Sequence, residues 1–161
     1  MLTGDGREDR AYDLVVPLNQ RTEHVNVHGI ALDFSAWPLV QVTPPPYSLS
    51  DDALLEFMDF HRQRVRSMDS PHVLLLDLRN CNQMSGAQRK KLTDLHGHGK
   101  DKTIASCLGT ALVFDSLMLR GMLNAVFWFF KPPYPVKVVP DLESAQRWLA
   151  SLLPNGTAKA A

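Results

Sequence analysis

The sequence predicts an α/β domain: a mixed sheet of about five strands with an antiparallel hairpin at one edge, covered by four main helices. Three observations predict it. Val73-Leu74-Leu75-Leu76 is an unbroken aliphatic run, as in a strand covered on both faces and flanked by parallel neighbours. Pro38 to Thr43 (PLVQVT) alternates with the period of a half-buried strand, and a capped helix lies between it and the aliphatic run, which makes a β-α-β unit. From Ser48 to Leu153, helical stripes and strands then take turns along the chain.

Met1 to Asn26 reads as an N-terminal extension. Its opening, MLTGDGREDRAYD, has no apolar core and no cleavage pattern, so a signal peptide is not expected. Leu14-Val15-Val16-Pro17-Leu18 is expected to add an edge strand or clip against the body, since its proline argues against a central strand. The domain itself is expected over residues 27–153, with 154–161 as a tail. His28 to Phe34 alternates loosely through Ile30, Leu32 and Phe34, and Asp33 to Trp37 would turn it into PLVQVT as an antiparallel hairpin. Pro44-Pro45-Pro46 forces an extended exit.

Ser48 or Ser50 caps the first helix, with Asp51 and Asp52 at its positive end. Leu54, Phe57, Met58, His61 and Val65 form its buried stripe, and Arg62, Gln63, Arg64 and Arg66 fall mostly outside it. After the central strand, which ends at Asp77-Leu78, Ser85 and Gln88 stand at capping-box spacing and start a second helix with Leu92 and Leu95 inward. His96-Gly97-His98-Gly99 weakens that helix. A short helical piece over Asp101 to Cys107 is expected to break at Gly109. Thr110 to Phe114 is the next strand, and Pro135 to Val139 the last. Asp141 caps a closing helix whose stripe is Leu142, Ala145, Trp148, Leu149, Leu152 and Leu153.

The totals exclude several classes. The 161 residues are one domain's worth, 45% apolar and 21% charged, which is ordinary for a soluble chain. Lys plus Arg and Asp plus Glu number 17 each, so no electrostatic footprint for nucleic acid or an anionic membrane is present. A formal net charge of zero also gives little protection against self-association. Two cysteines, Cys81 and Cys107, are too few for a disulfide framework, and a cytoplasmic setting is expected. His96, His98, Asp101 and Cys107 have no second ordered pair at zinc spacing, so neither a metal site nor a cofactor is assigned. There is no Gly-x-Ser-x-Gly elbow, phosphate loop or dinucleotide fingerprint, and the chain is read as non-enzymatic.

Candidate binding residues gather around one helix. Leu117 to Phe130 is apolar nearly all round, with Arg120 and Asn124 its only strongly polar residues, whereas a surface helix normally keeps a charged face. It spans about half the length a membrane crossing needs. Phe127, Trp128, Phe129 and Phe130 are consecutive and must point around the whole helix. At least one of them is therefore expected in an exposed patch of the kind that marks a partner or ligand surface. Arg120 lies near the capped start, where it could pair with Asp77 or Asp115 or hold an anion. Asp77 stands at the carboxyl end of a central strand, where open α/β sheets place ligand crevices.

These segments resemble the bacterial STAS/SEC14-like (SpoIIAA-like) proteins. The likeness is carried by VLLLDLRN, the loop into MSGAQRKKL, TALVF, DSLMLRGMLNAVFWF, PYPVKVV and AQRWL, and covers roughly His28 to Leu153. It implies a domain for protein–protein regulation, or alternatively one that holds a small apolar or lipid-like ligand, and it implies no active site. Ser85-Gly86 matches the position where anti-sigma-factor antagonists of this fold are phosphorylated, although Asn82-Gln83-Met84 departs from their Asp-Ser lead-in. The partner- or ligand-binding residues expected are Asp77, Arg120, Asn124, Trp128, Phe129 and Phe130, with Ser85 a candidate phosphorylation site and a protein partner or self-association as the binding event.

Overall fold

The computed structural model describes residues 23–81, 85, 87–88, 105–129 and 132–154, with the side chains of Val126, Trp128 and Phe129 outside that description. A six-stranded sheet runs in chain order: β1 (His24–Val27), β2 (Ile30–Asp33), β3 (Leu39–Thr43), β4 (His72–Asp77), β5 (Cys107–Val113) and β6 (Val136–Val139). β1, β2 and β3 pair antiparallel, and β3 through β6 pair parallel. Three described helices accompany them: α1 (Asp51–Met68), α2 (Leu117–Phe129) and α3 (Leu142–Leu152). The mixed sheet and its antiparallel edge match the expectation, but the described residues form six strands rather than about five, and the edge strand expected at Leu14 to Leu18 lies outside them. The fourth expected helix starts at Ser85 and falls mostly outside the described residues.

The extra strand is β1. His28 (φ 52) and Gly29 (φ 88) both adopt left-handed backbone, so they form a two-residue hairpin turn rather than the start of a strand. Gly29 is required there. A Cβ at this position would come within 2.9 Å of Tyr47 Cζ, and the positive φ would strain any L side chain. Gly29→Ala is expected to lower unfolding free energy by about 1–2 kcal/mol, read by urea denaturation. A loss below about 0.3 kcal/mol would contradict this account of the turn.

The period-two patterns separate two cores. On one face Ile30, Leu32, Phe34, Val40, Val42 and Val65 cluster with half-buried Phe57, Phe60, Leu74 and Leu76, which seats α1. On the other, Val73, Leu75, Ala111, Val113 and Val139 meet Ala145, Leu149 and Leu153, which seats α3. β4 feeds both cores, as its unbroken aliphatic run requires. Ser50 caps α1 by accepting from the Ala53 amide at 3.1 Å, and Asp141 caps α3 by accepting from the Ser144 amide at 2.7 Å.

β5 begins three residues before Thr110, where the sequence suggested helix and a glycine break. Gly109 lies inside the strand because α3 presses on it: a Cβ would meet Trp148 Cη2 and the Pro135 carbonyl oxygen, each at 3.3 Å, and Leu152 closer still. The register between β4 and β5 shifts at His72/Val73, one residue before regular pairing resumes.

Candidate functional site

Because β3 to β6 are parallel, their carboxyl ends share one edge of the sheet, and α1, α2 and α3 all start from it. Asp77 closes β4 there. It is 8% exposed and grips Arg79 with both oxygens: Nε donates to Oδ1 and Nη2 to Oδ2, each at 2.8 Å, while the Arg79 amide donates to Oδ1 at 3.3 Å. Hydrogen bonding from Arg79 holds the Asp77 carboxyl below its ordinary range, against the opposing effect of burial. Asp77 raises the guanidinium in turn, with smaller contributions from Asp115 and Asp141. Hydrogen bonds from Ser144 likewise lower Asp141.

Arg120 reaches the same edge. Its Nη1 donates to the backbone carbonyls of Phe114 and Asp115, each at 2.8 Å. The side chain therefore turns back over the start of its own helix and satisfies carbonyls at the end of β5. Ser116 caps that helix by accepting from the Leu119 amide at 3.3 Å. Asp77 and Arg120 thus stand at one edge, each with its own close partner, rather than paired with each other.

Ser85 sits toward α1. Its hydroxyl accepts from the Gln88 amide at 3.1 Å, and its own amide donates to Gln88 Oε1 at 3.3 Å, the reciprocal capping box the spacing predicts. Gln88 Nε2 donates to the Leu49 carbonyl at 2.8 Å and to Asp51 Oδ1 at 3.2 Å, tying this helix start to that of α1. The Ser85 residue is exposed.

α2 packs along β6, with Leu119, Leu123 and Phe127 half-buried. Its opposite side is exposed among the described residues. Leu117 is 77% exposed, Met118 79% and Met122 52%, three of the four exposed large hydrophobic residues described. Gly121, Asn124 and Ala125 complete this outer face. Of the residues expected to bind, Asn124 therefore lies on the exposed face. The side chains of Trp128 and Phe129, and Phe130 altogether, lie outside the described residues. The two methionines were not singled out from the sequence. Their signal is the spacing Met118, Met122, Ala125 (i, i+4, i+7), which an apolar helix shows on every side and which only its docking on β6 resolves.

An open cleft of about 430 Å³ lies along β1 to β3, lined by His24, Asn26, Ala31, Asp33, Gln41 and Thr43 among others. Its lining mixes polar side chains with the apolar Val25, Ala31 and Leu32. The thiols of Cys81 and Cys107 are both pushed up by burial, which keeps them protonated and weakly nucleophilic. His96, His98 and Asp101 lie outside the described residues. Among those that are described, no three His, Cys, Asp or Glu side chains group to hold a metal ion. No described helix is long and apolar enough to cross a membrane.

No protein-family model and no curated protein matches the chain. Among solved structures it is similar to an uncharacterised protein of the DUF3478 family with a SpoIIAA-like fold from Shewanella loihica PV-4. The TM-score is 0.55 at 18% identity, over 78% of this chain and 97% of that one. Identity at that level speaks for architecture alone. The parallel β3–β6 core, the antiparallel edge and this neighbour together give the chain a SpoIIAA-like, STAS-type fold.

Proposed function

We propose that the chain is a non-enzymatic interaction or regulatory domain that docks a protein partner on the outer face of α2 and the adjoining strand-end loops. The observation that carries this reading is the exposure of Leu117, Met118 and Met122 on a helix whose other side is already spent on the sheet. Burying such a face is worth about 25 cal/mol per Å² of apolar surface, a driving force that the isolated domain leaves unused. The loops at the carboxyl edge supply polar groups at the start of this helix: Arg120 holds the Asp115 carbonyl there, and Asp115 in turn acts on the Arg79 that Asp77 grips.

Ser85 fits the same reading as a control point. A phosphate on its exposed hydroxyl would stand at a helix start, which tolerates negative charge, close to the Asp51 carboxylate that Gln88 touches. Its effect would fall on the partner rather than on the fold. The alternative, a small apolar or lipid-like ligand, finds less support, because the cleft described on β1–β3 is open to solvent rather than enclosed.

A photo-cross-linking residue at position 118 tests the proposal, with position 146 on exposed α3 as control. The expected result is partner capture from 118 that is absent from 146 and abolished by Met122→Asp, with the parent's thermal midpoint retained. Equal capture from both positions, or a purified chain carrying a stoichiometric small molecule by native mass spectrometry, would overturn it.

A further inference from the structure

We propose that the outer face of α2 is closed by the same face of a second copy of this chain, in a reversible dimer whose two-fold axis passes beside Gly121. The proposal rests on the interaction-face reading above and names its occupant.

Charge selects the occupant. Leu117, Met118, Gly121, Met122, Asn124 and Ala125 are all exposed and none is ionisable. A two-fold axis sets each residue against its own copy or a near neighbour, so a charged face would repel itself and this one does not. The chain's formal net charge is zero, so two copies meet without long-range repulsion. An anionic membrane would call for a cationic fringe around the apolar stripe. At the described start of α2 the flanking residues are Asp115 and Ser116, and Arg120 is drawn back onto the Phe114 and Asp115 carbonyls. A strongly charged protein partner would find no complement among these outer-face residues either.

Shape agrees with charge. A Cβ placed on Gly121 would meet nothing within 4 Å, so this glycine serves no packing among the described residues, yet it sits mid-helix where glycine weakens the element. Its use is external. With Ala125 one turn on, it lets a second backbone approach closely, and Met118 and Met122 along one flank of that pair are adaptable enough to fill the space around the crossing. Antiparallel crossing also opposes the two helix dipoles favourably.

Area sets the strength. The outer half of a helix about 20 Å long offers on the order of 500 Å² per copy, short of the ~800 Å² per partner of a standard stable interface. The dimer is therefore weak and reversible, in the micromolar range, which leaves the face available for exchange.

Sedimentation of the full chain from about 1 to 500 µM tests the proposal, with an expected dissociation constant of roughly 10–100 µM. Gly121→Arg should weaken dimerisation at least tenfold while its thermal midpoint stays at or above the parent's, since the new side chain enters open space and replaces a poor helix former. A parent chain monomeric throughout, or Gly121→Arg dimerising with the parent's constant, overturns the proposal. So does a chain that stays monomeric but sediments with phosphatidylglycerol vesicles, which would make the membrane the occupant. A monomeric chain that still cross-links a different protein from position 118 overturns the second copy alone. Unfolding of Met118→Asp would remove the free face itself and both readings with it.

Discussion

Leu75→Ala is expected to destabilise the domain by about 3–4 kcal/mol, lowering the thermal midpoint by about 10 °C. Leu75 is fully buried in the middle of β4 and contributes to the cluster that joins Ala111, Val113, Ala145 and Leu149. Removing its branched end leaves a cavity between a central strand and α3, where the strand wall is held by backbone pairing to β3 and β5 and cannot collapse freely. Met118→Ala, on an equally apolar helix, should change stability by less than about 0.5 kcal/mol because that side chain is already in solvent. Chemical denaturation of the two variants side by side checks the contrast. Comparable losses would mean that α2 is buried where the structure shows it open.

A second large effect is expected from acid. His72 begins β4, is 1% exposed, and lies stacked on Trp37 with ring centroids 5.9 Å apart, its Nδ1 3.4 Å from the Ser106 hydroxyl. Burial lowers the imidazole from its ordinary 6.5 to about 4, with a hydrogen bond to Ser106 acting the other way. The folded value lies below the unfolded one, so the unfolded chain binds the extra proton between the two. The stability that neutral His72 contributes is complete above pH 6.5 and is lost as the pH falls through that window toward 4. At 1.36 kcal/mol per unit, the loss approaches about 3 kcal/mol. His72→Phe keeps a flat ring against Trp37 and should flatten this acid slope in urea denaturation between pH 4 and 7. A slope that survives the substitution would assign the acid sensitivity to another group.

Much of the fold was legible because it rests on local rules. The unbroken run Val73 to Leu76 has no polar face and could only be central. Ser50, Ser85–Gln88 and Asp141 announce helix starts whose hydrogen bonds the structure contains. What escaped depends on tertiary context. β1 is a short edge strand with only Val25 and Val27 turned inward, too brief for alternation to register, and its hairpin signal, His28-Gly29, reads equally as the start of a strand. Gly109 looks like a breaker until α3 is placed against it.

The placement of the candidate residues was legible in part. Asp77 and Arg120 do reach one edge, yet their partners are Arg79 and two backbone carbonyls, choices made by loop geometry that spacing does not encode. On α2, apolarity marked the helix but could not say which side faces out. Docking on β6 decides that, and it brings Met118 and Met122 forward beside Asn124.

Methionine oxidation footprinting at about 1 µM, below the expected dimer range, tests that open face most directly. Met118 should react fastest and Met122 next, both several-fold above the half-buried Met58 and Met68. Rates for Met118 and Met122 no higher than those of Met58 and Met68 would contradict it, since a covered α2 could not dock anything.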